Sequence, residues 1–208
     1  MPARIPLPTD DELTPEHREL LAKVPPLNVF RMVAGTRRGL RPFLQLGGAV
    51  LSSSLDARRR EIVVLRVAHA TAAGYERAQH ERLARLAGVS DEEINAIATE
   101  EPVSSLDQEG NLICRVADEV SRNVRLSDEA LEQIVDRYGP REAAELILLV
   151  SYYNMVSRFL ESTRVELEAK PPVGWQALGS AADAREQRSG DEGGGQGRDS
   201  GRSGPVAR

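Results

Sequence analysis

A single cysteine, Cys114, stands in a chain of 208 residues. One thiol excludes an intrachain disulfide and any cysteine-rich zinc site. A basic excess is missing too: the formal net charge is −5, which argues against a nucleic-acid surface. Arg37, Arg38 and Arg41 cluster, as do Arg58, Arg59 and Arg60, and both groups read as solvated helix ends. Long apolar runs are absent. The opening MPARIPLPTDDELTPEH has no apolar core of signal-peptide length. The most apolar internal run, residues 146–150, is far too short to span a bilayer. A cytoplasmic protein without nucleic-acid or membrane partners is therefore expected. No strand alternation competes with the helical periodicity anywhere, so the domain is expected to be all-α.

The helices carry legible start and stop signals. Residues 1–13 hold several prolines and read as an extended arm. Thr14-Pro15-Glu16 supplies a hydroxyl cap, a proline at the first helical position and an acid near the positive dipole end. Residues 28–34 and 41–51 are further helical candidates, and Gly47-Gly48 inside the second suggests close approach of another backbone. Asp56 caps a helix that is apolar nearly all round (Ile62, Val63, Val64, Leu65, Val67, Ala68), a pattern of burial rather than of amphipathic exposure. A second arm, residues 75–87, stops at Gly88. Ser90-Asp91-Glu92-Glu93 is a capping box, and Ser105 with Gln108 is expected to start a helix running to about Asn123. Ser127 caps another, ending near Tyr138, and Gly139-Pro140 restarts the chain into a last helix over about 141–166.

That last helix carries Leu146, Leu149, Val150, Tyr153, Val156 and Leu160. This is more apolar surface than a thin domain is expected to cover, which favours a homo-oligomer (dimer, trimer or hexamer). Residues 14–168 form the expected domain and 169–208 a linker and tail. From residue 179 onward Gly, Ser, Asp and Arg dominate, too little apolar content to offset ordering entropy, so this part is expected to be disordered.

Candidate chemistry concentrates between Glu61 and His80. Glu76 and His80 are four apart and share a helix face. Glu61 leads into a helix with almost no polar side, so its carboxylate should be partly desolvated and in need of a partner. The two arms form a helical hairpin, which should bring Glu61 to His80 directly or through one water, beside Tyr75 and Glu76. Glu76 pairs as readily with Arg66 or Arg77. On the last helix Tyr152, Tyr153 and Asn154 form a polar-aromatic cluster suited to a pocket wall. His69 reads as a satisfied core histidine, His17 carries no signal, and Cys114 reads as a small core residue.

The segment ARRREIVVLRVAHATAAGYERAQHERLARLAGVSDEEI resembles the signature of the carboxymuconolactone decarboxylase family, which includes the alkyl hydroperoxidase D-like proteins. NVFRMVAG and RPFLQLGGAVLSSSLD before it, and AAELILLVSYYNMVSRFLESTRVELE after it, are similar as well, so the resemblance spans roughly residues 10–168. It implies an all-α fold of the alkyl hydroperoxidase D-like type. The family's peroxidase branch places a glutamate, a C-x-x-C pair and a histidine along this stretch. By position these fall on Glu61, on Ala73 and Glu76, and on His80, so both sulfurs are missing and thiol exchange lacks its attacking and resolving groups. The nearest branch has an A-x-Y-E-x-x-x-H-like pattern, here running from Ala73 to His80.

The resemblance implies an acid–base enzyme, in the lyase sense a decarboxylase, acting on a small carboxylated or lactone-type molecule. Glu61 and His80 would be catalytic; Tyr75, Glu76, Tyr152 and Asn154 would contact substrate; no cofactor or metal is called for. Two alternatives stand beside it. One is a non-catalytic oligomeric small-molecule-binding protein of the same fold. The other, by family label, is peroxiredoxin-like antioxidant activity.

Overall fold

The computed structural model describes residues 4–169 of the chain, and the tail expected beyond them lies outside the described residues. Among the described residues the architecture is helical throughout. After a 3-10 turn at Asp10–Glu12 come α1 (Pro15–Leu21), α2 (Asn28–Ala34), α3 (Leu40–Leu51) and α4 (Ala57–Ala70). They are followed by α5 (Gly74–Leu86), α6 (Asp91–Thr99), α7 (Gln108–Asn123) and α8 (Asp128–Thr163). The 3-10 turn interrupts the arm expected to be extended, because Thr9 and Glu12 close a capping box on each other.

Helix α4 is the axis of the domain, with every residue from Arg60 to Ala68 buried. That follows from its composition: a helix apolar on all faces gains most when surrounded, at roughly 25 cal/mol per Å² of apolar surface removed from water. It packs against α5, α6, α7 and α8. Its Asp56 cap accepts the Arg59 N–H at 2.8 Å. Its C-terminus closes with the Ala73 N–H on the Ala68 carbonyl at 2.8 Å and the Ala72 N–H on the His69 carbonyl at 3.1 Å. Ala72 takes the left-handed conformation, φ 53°, where glycine is usual. This turn sends α5 back along α4. Gly88, φ 85°, ends α5 by the same bonding pattern, Val89 to Ala84 at 2.9 Å. Helix α8 bends at Gly139 (φ 77°, ψ 166°), so it consists of the two helices the sequence suggests, and Arg164 in the left-handed region stops it after Thr163.

Several local expectations are corrected. Asp107, not Ser105, caps α7, accepting the Gly110 N–H at 2.6 Å. Ser105 turns back to Glu100 instead. What closes on Gly47 is a side chain rather than a backbone: a Cβ there would stand 2.7 Å from the Tyr152 hydroxyl, whereas Gly48 faces open space. The arginines at the start of α4 are not solvated. Arg60 is buried and donates to the Leu55 carbonyl at 2.6 Å. Arg58 reaches Glu93 at 2.5 Å, and Arg59 reaches Glu109 and Glu142 at 3.0 and 2.8 Å, tying α4 to α6, α7 and α8.

His17 is buried and bonds the Ala34 carbonyl at 2.9 Å, joining α1 to α2. His69 lies at the edge rather than in the core, 2.8 Å from Glu101. The apolar residues of α8 that suggested an oligomer are all covered within the single chain; α3, α4, α5 and α7 lie against this helix. Among the described residues no helix is long and apolar enough to cross a membrane.

Candidate functional site

Glu61, in the second turn of α4, and His80, midway along α5, face each other across the hairpin. The His80 Nδ1 lies 2.8 Å from Glu61 Oε2. Their side chains are only 11% and 8% exposed, so the contact is direct and sheltered, with no water needed between them. Glu76, one turn before His80, approaches the other ring nitrogen: Oε2 is 3.5 Å from Nε2. The three groups thus form a buried carboxyl–imidazole–carboxyl array. The two carboxyls meet opposite edges of the ring and do not converge on a point where one ion could bind. No cluster of three or more metal donors is present among the described residues.

Beside the array lies a cavity of about 920 Å³ between α2, α3, α4, α5 and α8. Its wall is a run of aromatic rings. Phe30 meets Phe43 at 6.4 Å, Phe43 meets Tyr152 at 5.8 Å, Tyr152 meets Tyr153 at 5.3 Å, and Tyr153 meets the His80 ring at 5.2 Å edge-on. Gly47 is where α3 makes room for the Tyr152 hydroxyl. Polar groups are few: Arg60, Glu61, Tyr75, Glu76, Gln79 and His80, with the hydroxyl-bearing Tyr152 and Tyr153 on α8. A large apolar space with a few convergent polar groups is the usual form of a small-molecule site.

Burial shapes the electrostatics. Removal from water raises the Glu76 carboxyl above its ordinary value; His80 pulls it back down, and Glu61 pushes it further up. For His80, burial disfavours the charged ring, but the charge and hydrogen bond of Glu61, with Glu76 adding, more than offset this, and its pKa is raised. The tyrosine hydroxyls of Tyr75, Tyr152 and Tyr153 are all raised, chiefly by burial, which disfavours their phenolate forms. The folded array therefore holds protons that the unfolded chain would release.

This gives a stability prediction with a definite sign. A carboxyl whose folded pKa is raised contributes stability that is complete below its ordinary value of 4.5 and is lost as pH rises through the folded value. His80 adds a loss of the same sign above its ordinary 6.5. Glu76→Gln removes the first contribution while keeping the shape. Urea unfolding from pH 4 to 8 should show the variant gaining on the wild type as pH rises, by at most about 1.4 kcal/mol per unit. Parallel curves would show that Glu76 ionises freely.

Of the residues singled out in the sequence, Glu61, His80, Tyr75, Glu76 and Tyr152 all line this one cavity. Asn154 does not. Its amide donates to the Ser121 hydroxyl at 2.8 Å and to the Val150 carbonyl at 3.0 Å, on the side of α8 facing α7. Arg66 and Arg77 do not pair with Glu76. Arg66 binds Asp118, and Arg77 binds Glu81. Arg60, Gln79 and Phe43 line the cavity without having been picked out by sequence reasoning. The signal for Arg60 was there, since it shares a face with Val64 on a helix judged buried all round.

Cys114 is buried in α7, and burial pushes its thiol up to about 12. Thiolate chemistry needs the opposite environment. Iodoacetamide should leave the folded protein unmodified over hours, by intact mass, and label it fully in denaturant; rapid native labelling would contradict this burial.

An all-helical domain with a buried carboxyl–imidazole pair at the head of an apolar cavity is thus defined. Residues 39–108 match the model of the Carboxymuconolactone decarboxylase family, which supports the resemblance read from the sequence over that central stretch. Among the solved structures that share the fold are two peroxidase-related proteins. One, an uncharacterized peroxidase-related protein from Silicibacter sp. TM1040, is 17% identical, covers 81% of this chain and 93% of its own, with a TM-score of 0.68. The other, described as an alkylhydroperoxidase AhpD core and uncharacterized peroxidase-related protein from Ralstonia eutropha JMP134, is 16% identical. It covers 85% of this chain and 95% of its own, with a TM-score of 0.69. No curated protein sequence matches the chain.

Proposed function

We propose that this protein is an acid–base enzyme, a decarboxylase in the broad sense, acting on a small carboxylated or lactone-type molecule held in the aromatic cavity. The observation that carries this reading is the buried Glu61–His80–Glu76 array opening onto that cavity. A decarboxylation breaks a C–C bond, and its electron pair moves onto a neighbouring carbonyl as carbon dioxide leaves. The enolate must then take a proton at carbon. His80, or Glu76, whose burial favours its protonated form, supplies that proton. Glu61 holds the imidazole by its Nδ1 and stabilises its charged form, so that Nε2 stays turned toward Glu76. The test is turnover: purified protein assayed against a panel of lactones and β-keto acids, with Glu76→Gln and His80→Ala as matched controls. Turnover equal in all three proteins would remove the array from the chemistry.

A thiol peroxidase reading, suggested by the description of the two structural neighbours, lacks its working groups. Ala73 and Glu76 stand at the C-x-x-C positions, and Cys114 lies outside the motif and is buried. A binding protein without catalysis is favoured by one observation, the largely apolar cavity wall, and the same panel read by calorimetry would show affinity without turnover. An oligomer is also part of this proposal. With the inner residues of α8 covered, its support is now Leu148 and Met155, seven apart on one exposed face of α8, 48% and 44% accessible.

A further inference from the structure

Beyond the end of α8 the chain does not leave the domain at once. Val165 packs against the core, its N–H on the Leu160 carbonyl at 3.2 Å. The Glu166 carbonyl accepts from the Asn28 side chain at 2.9 Å. Leu167 is turned outward, 49% exposed, and Glu168 then reaches back to Tyr75 and Gln79, two residues that line the cavity. There its carboxylate accepts three hydrogen bonds: from the Tyr75 hydroxyl at 2.6 Å, from the Gln79 amide at 2.5 Å and from the Asn28 backbone N–H at 2.5 Å. Tyr75 is itself oriented by the Val29 N–H, which it accepts at 3.3 Å.

We propose that the cavity has a carboxylate-binding cradle beside its Tyr75–Gln79 wall, formed by the Tyr75 hydroxyl, the Gln79 amide and the Asn28 N–H. The chain's own Glu168 fills it until a carboxylate ligand displaces it. Three observations carry this. The donors come from two separate parts of the chain, α2 and α5, and converge on one carboxylate. Charge-assisted bonds of this number and length are what a bound carboxylate receives. Two of the donors, Tyr75 and Gln79, are cavity-lining residues, so a ligand lying along the aromatic wall can place its own carboxylate where Glu168 sits. The strap is anchored through Val165 and Glu166, upstream of Glu168, and the exposed Leu167 between them contributes little packing. Release of Glu168 therefore leaves the helices intact, as expected of a segment with few buried contacts. The ligand class is a monocarboxylate with an apolar or aromatic body that fits the Phe43–Tyr152 wall.

The inference rests on reading the cavity as a ligand site. Its test measures binding, whereas the acid–base reading is tested by turnover, so either can fail alone. Benzoate serves as probe and benzamide as its uncharged analogue, with binding to the full chain followed by calorimetry or protein NMR. When a resident group occupies a site, apparent affinity falls by the fraction of molecules left open. Glu168→Ala should therefore tighten benzoate at least about tenfold and leave benzamide unchanged. Gln79→Ala added to that variant should weaken benzoate again. Glu168→Gln keeps the strap's shape without its charge and should also gain affinity for benzoate; it carries the test if Glu168→Ala melts early. Equal benzoate affinity in wild type and both variants would overturn the proposal, as would an equal gain for benzamide, or no benzoate binding to either variant.

Discussion

Replacing His80 by alanine is expected to lower kcat/KM by about a hundredfold to ten-thousandfold, the usual worth of a positioned acid or base, while the protein remains folded. In barrier terms this is about 3–5 kcal/mol. The expectation comes from position: His80 is the one group in contact with both buried carboxyls, so its loss disconnects the array whichever member meets substrate. Folding should suffer less. The substitution leaves Glu61 without its hydrogen-bond partner at about 1–3 kcal/mol, against a total stability of about 5–15 kcal/mol for a domain of this kind. Circular dichroism should show full helicity and a modestly lowered Tm. Glu61→Gln is the finer probe. It keeps the shape but removes the charge that raises the imidazole, so the basic limb of the pH–rate profile should move to lower pH. A His80→Ala protein that turns over substrate at the wild-type rate would end the acid–base reading.

The largest effect on stability is expected away from the cavity, at Arg66. This side chain is fully buried on α4. It forms a two-pronged pair with Asp118 of α7 at 2.8 and 2.7 Å, donates to the carbonyls of Ile97 and Glu100 at 2.7 and 3.0 Å, and reaches Glu101 at 3.0 Å. All five N–H donors of the guanidinium are matched, including those that hold the end of α6 and the loop after it. Glu101 is in turn held down to about 2, first by its bond from Arg122, with His69 and Arg66 assisting. Removing one partner of a buried ion pair typically costs about 3–5 kcal/mol, because the other charge is left without compensation. Arg66→Ala should therefore lower Tm by roughly 6–20 °C at 2–4 °C per kcal/mol. Arg66→Lys should recover only part of the loss, since a point charge cannot reproduce the fork. A melting point within a degree or two of wild type would show that the network is replaceable.

Much of this domain is written locally. Thr14-Pro15, Asp56, Ser90 with Glu93, and Gly88 each mark a helix end through bonds made within a few residues, and each does so in the structure. The apolar circumference of α4 was equally legible, and with it the need of Glu61 for a partner. A hairpin with a turn of small residues left His80 as a partner in reach, and the two meet.

What the pattern could not give is rotation and distance. On a helix apolar all round, periodicity does not say which face meets a cavity and which meets another helix, so Arg60 passed for part of a solvated helix end and Arg66 for a partner of Glu76. Tyr152 and Asn154, two apart in a helix, lie on nearly opposite faces, and only the packing of α8 shows that the first meets the cavity and the second Ser121. His17 with Ala34, His69 with Glu101 and Tyr75 with Glu168 are paired across 17, 32 and 93 residues. Hydrogen-bond partners at such separations are chosen by which surfaces the core brings together. Side-chain polarity can state that a partner is needed, but only the packed helices supply it.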